Sequence, residues 1–525
     1  MAIPQSDSTT GPEFIMNGNL FARLQLAIGD RATRLAINDP CSQIYTYDDL
    51  MKLSGKLANA LVSRGVKPAD RVMVQAEKSV AGLALYLATL RSGAIFLPLN
   101  SAYTLTEVDY FACDAEPTLI VCDPASASGM EPIAAKIGAR VETLDAAGHG
   151  SLTTAAERMQ PEFETVLRLG ADLAAILYTS GTTGRSKGAM LTHDNLVSNT
   201  LSLIETWRFT AKDILIHALP IYHTHGLFVA TNVTLFSGAS MILLTKFDRE
   251  QVLDHMGKAT VLMGVPTFYV RLLQSTRLRD AAITMRLFIS GSAPLLAETH
   301  IDWHKRTGHS ILERYGMTET NMNTSNPYAG DRIPGTVGMP LPGVSVRITN
   351  PDSGLELAVN EIGMIEVKGP NIFKGYWKMP EKTAAALRED GFFITGDLGK
   401  IDKRGYVHIL GRGRDLVITG GFNVYPKEVE EEIDAIAGVN ESAVIGVPHK
   451  DFGEGVTAVV VRQPGSIIDE NSILQAIEGR LAKFKLPKRV MFVDELPRNA
   501  MGKVQKNMLR ETFQNIYSAK CNGLS

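Results

Sequence analysis

The sequence predicts an α/β protein with a large N-terminal domain and a smaller α+β C-terminal domain. The large domain is expected to hold two layered α/β subdomains and a small β-barrel-like subdomain. Three observations carry this. Short apolar runs alternate with helical patterns through most of the chain, which favours layers around largely parallel sheets. After about residue 334 the texture changes to short strands separated by Gly and Pro turns. Beyond Asp402 helical patterns return between strands. A chain of 525 residues has room for roughly three to four domain-sized units and a sizeable core.

The elements follow in order. Residues 1–15 are polar, with Pro4, Gly11 and Pro12, and are expected to be a leader outside the fold. A helical segment begins near Leu20. Residues 72–74 form an apolar strand, 80–88 a helical run, and 94–99 and 118–122 two further strands. The runs 173–177, 214–216, 241–244 and 287–290 repeat the strand pattern. Short strands follow at 344–348, 362–367 and 407–410. The C-terminal part reads as a helix at 426–437, strands at 443–447 and 456–461, and a helix at 473–482. The polar segment 399–405 is the expected boundary, giving domains 16–400 and 401–525.

Composition excludes several classes. The chain is 45% hydrophobic and 21% charged, with a formal net charge of −3, so nothing electrostatic favours nucleic acid or an anionic membrane. No apolar run is long enough to span a bilayer, and no secretory signal is visible. The four cysteines are scattered without metal-ligand spacing, as in a reduced cytoplasmic protein.

The chemistry concentrates in five motifs. Tyr178-Thr179-Ser180-Gly181-Thr182-Thr183-Gly184-Arg185-Ser186-Lys187-Gly188 follows a buried strand. Its glycines let backbone N–H groups approach a polyphosphate, and its hydroxyls and lysine add donors and charge. The Walker A spacing does not fit, because only two residues separate Gly181 from Gly184 and Gly188 follows Lys187. Gly291-Ser292-Ala293 closes another strand. Glu313-Arg314-Tyr315-Gly316-Met317-Thr318-Glu319 offers a stacking face and a carboxylate. Asp397 and Arg412 suit sugar hydroxyls. Lys503 follows a turn near the end of the chain.

In this order, over residues 20–517, these motifs resemble the adenylate-forming superfamily of acyl-CoA synthetases, peptide-synthetase adenylation domains and beetle luciferases. One departure is Ser186, where the family usually has proline. The resemblance implies a two-step reaction using ATP, Mg²⁺ and coenzyme A. A carboxylate first attacks the α-phosphate of ATP, and a thiol then displaces AMP. It implies that Thr179, Ser180, Thr182, Thr183 and Lys187 hold phosphates, with Gly181 and Gly184 shaping the loop. It places Glu319 and Thr183 on Mg²⁺ and Glu319 among the catalytic residues. Adenine would lie on Tyr315 beside Gly291, Ser292 and Ala293, with Glu313, Arg314, Gly316, Met317 and Thr318 in the same nucleotide segment. Asp397 and Arg412 would take the ribose. Lys503 would stabilise the first transition state from a mobile C-terminal domain, with Asp402 as hinge and Gly420, Gly421 and Phe422 meeting coenzyme A. A lysine acetyltransferase acting on Lys503 would remove its charge and silence the first step.

The acid is a separate question. Arg286 stands on an otherwise apolar strand, and His223 and His225 lie between apolar segments. A buried arginine is either paired with a protein carboxylate, such as Glu313, or waits for an anionic ligand. His223 is correspondingly either a core histidine or a site residue. The segments 219–228, 264–269 and 313–323 are very similar to bacterial malonyl-CoA synthetases. That resemblance implies malonate, with Arg286 and His223 as substrate residues, His223 also among the catalytic residues, and Val265 and Met317 limiting bulk. The alternatives are a ligase for another short or aromatic acid, or an enzyme loading a free carrier protein.

Overall fold

The computed structural model describes residues 17–40, 43–179, 186–419, 422–449, 451–478, 480–481, 483–499 and 502–517. The expected leader, Ser180, Gly181, Thr182, Thr183, Gly184, Gly420 and Gly421 lie outside these residues.

Two sheets build the large domain. The first runs in the order Gly375–Tyr376, Lys187–Thr192, Leu173–Thr179, Ile95–Pro98, Arg71–Gln75, Leu119–Cys122, Arg140–Thr143. Its interior is parallel, as the strand–helix alternation predicts. Its other edge is antiparallel, because Leu173–Thr179 pairs with the next strand, Lys187–Thr192, in the opposite direction and the latter pairs with Gly375–Tyr376. The second sheet runs Met339–Pro340, Asn321–Ser325, Leu312–Met317, Leu287–Ser290, Val261–Gly264, Ile214–His217, Ser240–Leu243, Leu35–Asn38, Ile44–Thr46. One continuous core joins the sheets: Val72, Phe96 and Leu177 of the first pack with Met241, Val261 and Leu287 of the second. The helix Val80–Arg91 belongs to this core and is buried at every position, as its nearly unbroken apolar sequence requires. Ser79 starts it by accepting the Gly82 N–H at 3.1 Å.

The small subdomain is an antiparallel sheet in the order Ser345–Thr349, Gly363–Lys368, Phe393–Ile401, Val407–Arg412. Expected to be barrel-like, it keeps an open strand order: its first and last strands do not pair among the described residues. The C-terminal sheet runs Phe422–Val424, Val417–Thr419, Gly453–Arg462, Val439–His449, with Arg489–Val493 added on Gly453–Arg462. Its second helix starts earlier than expected, at Glu470, because the Asp469 carboxylate caps the Ser472 N–H at 2.9 Å.

The expected domain boundary at 400/401 moves. Val407–Arg412 pairs with Phe393–Ile401, in a register that sets Asp397 opposite Arg412. The chain therefore leaves the N-terminal domain after Arg412 and enters the next sheet at Val417. Asp402 is correspondingly not at a hinge. It closes the hairpin, accepting the N–H groups of Arg404 at 2.9 Å and Tyr406 at 3.0 Å and meeting His408 Nε2 at 3.1 Å. A glycine-rich polar turn and an interdomain linker have the same composition; the pairing of the next strand distinguishes them. Among the described residues no helix is long and apolar enough to cross a membrane.

Candidate active site

The site forms where the carboxyl ends of the two sheets meet the C-terminal domain, the place where open α/β sheets bind ligands. On the phosphate side, Thr179 and Lys187 face each other across the neck of the hairpin. Lys187 Nζ lies 4.2 Å over the Tyr376 ring. The Tyr376 hydroxyl donates to Glu319 Oε1 at 3.0 Å, and the Thr179 hydroxyl lies 3.5 Å from the same oxygen. Glu319 is buried on the turn between Leu312–Met317 and Asn321–Ser325. Among the described residues no three acidic, His or Cys side chains gather as an all-protein metal cage would need. Mg²⁺ needs none, since it keeps waters and substrate phosphates beside one or two carboxylates. Glu319 with the Thr179 hydroxyl fits that donor set.

On the nucleoside side, Tyr315 donates its hydroxyl to Asp397, whose other oxygen pairs with Arg412 Nε at 2.8 Å. The strand register creates this pair, since Asp397 and Arg412 are cross-strand partners. The Glu313 carboxylate points elsewhere: it is buried 3.4 Å from His300 Nδ1, and burial raises its pKa. Gly316 and Met317 end the strand that carries Tyr315, Thr318 opens the turn after it, and Ala293 lies on the bend after Leu287–Ser290, all partly exposed.

Arg314, next to Tyr315 on the same strand, points to the opposite face. The residue is 3% exposed, and neither Nε nor Nη2 has a hydrogen-bond partner. Burial pulls its pKa down to about 9. It needs Gly291, because a Cβ there would come within 2.4 Å of Arg314 Cζ. Arg314 acts electrostatically on His223, His225 and Lys503. His223 Nδ1 and His225 Nε2 are also buried without partners, and burial with the nearby cations Lys503 and Arg314 lowers His223 to about pKa 3. Ser292, at φ +73°, places its Oγ 3.2 Å from His225 Nδ1. Val265 is buried at the start of the helix Pro266–Leu273.

The histidine turn is braced from beneath. His225 opens a π-helical turn, His225–Thr231, a form common at functional sites. Gly226 packs so tightly that a Cβ would lie 1.9 Å from the Pro220 carbonyl oxygen. Its own carbonyl meets His217 Nε2 at 3.0 Å, and His217 Nδ1 meets the fully buried Lys78 Nζ at 2.8 Å. Lys78 also donates to the carbonyls of His217 at 2.6 Å and Leu219 at 3.0 Å. No motif marks Lys78 or His217, which are far apart in the chain.

Lys503 arrives from the C-terminal domain on a tight turn. Its N–H donates to Asn499 Oδ1 at 3.0 Å, and its carbonyl accepts the Asn499 N–H at 3.0 Å. Arg498 clamps the turn through the Gly502 carbonyl at 2.6 Å and through Glu441. Gly502 sits against Thr267 of the N-terminal domain. Burial lowers the Lys503 pKa; Arg412 and Arg314 push the same way, and Asp397 and Glu319 oppose them. The structure therefore shows the orientation in which Lys503 faces the nucleotide pocket.

Arg286 corrects an expectation. It lies at the amino end of the strand Leu287–Ser290, away from the turn that forms the site. Its Nε and Nη2 donate to the two oxygens of buried Asp213 at 2.6 and 2.9 Å, and its plane stacks near Phe209 and Tyr328. It is paired within the protein and so is not left waiting for an anionic ligand. The partner is Asp213 rather than Glu313. Phe422 is exposed and stacks on Phe484 at 4.8 Å in the C-terminal domain.

Tyr315, Asp397, Arg412, Glu319 and Lys187 gathered on two α/β sheets, with Lys503 reaching them from a separate C-terminal domain, are the arrangement of an acid-activating, adenylate-forming enzyme. The chain belongs to the AMP-binding enzyme family, which matches residues 27–377, with the AMP-binding enzyme C-terminal domain matching 428–503. It superposes on the crystal structure of ATP-bound MatB from Rhodopseudomonas palustris with a TM-score of 0.94, at 66% identity, covering 96% of this chain and 100% of that one. The apo structure of the same MatB gives a TM-score of 0.84. Malonate–CoA ligase of Arabidopsis thaliana is 35% identical over 90% of this chain and 83% of its own. Feruloyl-CoA synthase of an Amycolatopsis species is 36% identical, covering 89% and 94%.

Proposed function

We propose that this protein joins malonate to coenzyme A at the expense of ATP, through malonyl-adenylate. The observation that carries the choice of acid is Arg314. A fully buried guanidinium with unpaired N–H groups is costly, and a second carboxylate is the ligand that would satisfy it. An aromatic or fatty acid would leave it unpaired, which disfavours the feruloyl and long-chain alternatives. The similarity to malonate–CoA ligase and to MatB supports the same acid.

In the first step one malonate carboxylate oxygen bonds to the α-phosphorus and pyrophosphate leaves. Both reactants are anions, so Lys503, close to Arg412 and Arg314, supplies the charge that the transition state needs. Lys187 and the phosphate loop hold the departing pyrophosphate, and Tyr315, Asp397 and Arg412 hold the nucleoside. Mg²⁺, bound through Glu319 and the phosphates, would neutralise phosphate charge. Val265 and Met317 bound the acid pocket. Neutral His223 and His225 line it without adding charge.

In the second step the thiolate of coenzyme A attacks the acyl carbon and AMP leaves. The linking residues 413–416 are the place for a domain rotation that withdraws Lys503 and brings the segment around Phe422 to the site. In the orientation seen, Lys503 is half-buried, so a lysine acetyltransferase would reach it in the rotated form. The free thiols Cys113 and Cys122 suit a cytoplasmic setting. The test is pyrophosphate release across mono- and dicarboxylic acids, with mass-spectrometric detection of the thioester. A preference for propionate or ferulate over malonate would overturn the assignment.

A further inference from the structure

Tyr376 occupies a place that no sequence motif marks. It is 6% exposed and lies on the two-residue strand Gly375–Tyr376, paired with Met190 and Ala189 just beyond Lys187. Its neighbours are fastened on both sides. The Trp377 N–H donates to the Gly188 carbonyl at 2.7 Å, and the Phe373 N–H donates to the Glu319 carbonyl at 2.8 Å. The segment 373–377 therefore ties the exit of the phosphate loop, in the first sheet, to the Glu319 turn in the second.

The side chain repeats that connection. Its hydroxyl donates to Glu319 Oε1 at 3.0 Å, and its ring lies 4.2 Å beneath Lys187 Nζ. We propose that Tyr376 is a positioning residue for the triphosphate: its ring fixes Lys187 and its hydroxyl fixes Glu319, so one side chain sets the spacing between the cationic and metal-binding ends of the phosphate site. A lysine ammonium is a point charge on a flexible stem, and an aromatic face confines it without neutralising it. A carboxylate with one oxygen held by a phenol presents the other to a cation in a fixed direction. A tyrosine serving only as packing would need neither contact; the edge-to-face contact with Phe373, at 4.8 Å between ring centres, fills that role alone.

The inference rests on the nucleotide site proposed above. Its test is calorimetric binding of a non-hydrolysable ATP analogue, with and without Mg²⁺, to the full chain and to Tyr376→Phe and Tyr376→Leu. Tyr376→Phe keeps the ring and should bind the metal-free analogue like the wild type, while losing about tenfold in affinity when Mg²⁺ is present. Tyr376→Leu should lose about three- to tenfold without metal as well, because Lys187 loses its platform. Melting temperatures run alongside, and Tyr376→Phe should keep the wild-type value. Wild-type affinities for Tyr376→Phe in both conditions, or equal losses in both, would overturn the proposal. Failure of the wild type to bind the analogue at all would instead overturn the nucleotide reading.

Discussion

Replacing Arg314 with methionine separates recognition of the second carboxylate from everything else in the site. The side chain is 3% exposed, its Nε and Nη2 are unpaired, and burial has already drawn its pKa to about 9. Removing one partner of a buried, hydrogen-bonded charge pair costs about 2–5 kcal/mol. At about 1.4 kcal/mol per tenfold, kcat/KM for malonate should fall by about 30-fold to several thousandfold. Propionate, which has no second carboxylate, should lose far less. The unliganded protein should not lose stability, because an unpaired buried charge is being replaced by an apolar chain. Arg286→Ala is the control. It strands Asp213, which is 4% exposed, so it should cost about 3 kcal/mol of stability while leaving the malonate-to-propionate ratio unchanged. Pyrophosphate-release kinetics with both acids, plus denaturant melts, give both readouts. An equal drop for the two acids in Arg314→Met, or a loss of selectivity in Arg286→Ala alone, would refute the reasoning.

Three further outcomes are expected. Lys503→Ala should slow adenylate formation by about two to three orders of magnitude yet leave transfer from supplied malonyl-adenylate to coenzyme A near wild type; equal loss in both half-reactions would remove Lys503 from its role. His223, lowered to about pKa 3 by burial and by Lys503 and Arg314, should show no titration of its ring protons by NMR between pH 5 and 8; Lys503→Ala removes one cation and should move its pKa upward, and a midpoint near 6.5 in the wild type would contradict the site's electrostatics. Asp415→Pro in the linking segment should spare adenylation and slow thioester formation, whereas Asp402→Ala should cost about 1–2 kcal/mol of hairpin stability and affect both steps alike; the reverse pattern would return the hinge to Asp402.

What the sequence disclosed depended on how local the information was. The phosphate loop, the Tyr315 segment, the Asp397–Arg412 pair and Lys503 each announce themselves over a few residues, and the structure brings Thr179, Lys187, Glu319, Tyr315, Asp397, Arg412 and Lys503 to one place. Two arginines stand on neighbouring strands, and the structure pairs Arg286 with Asp213 while leaving Nε and Nη2 of Arg314 without partners. Ligands gather at the carboxyl ends of parallel strands, and Arg286 begins its strand, so that rule would have excluded it. Alternation along the strand would have found Arg314, which must face away from Tyr315. Asp402 was misplaced for a different reason. Which sheet claims the strand after a polar turn is a long-range fact, and no turn residue encodes it. Lys78 and His217 form a contact across 139 positions of chain, beyond any motif.

The crowding of charge around Lys503 has a consequence for timing. Lys187, Arg314, Arg412 and Lys503 act on one small volume in which Glu319 and Asp397 are the opposing carboxylates. Lys503 stands inward beside more cations than carboxylates, so ATP and the dicarboxylate are expected to strengthen its hold on the site. Once pyrophosphate departs, only the adenylate phosphate and the distal carboxylate join Glu319 and Asp397 in opposing these cations. The hold of the site on Lys503 is therefore expected to be strongest while ATP is bound and weaker once the first product has left.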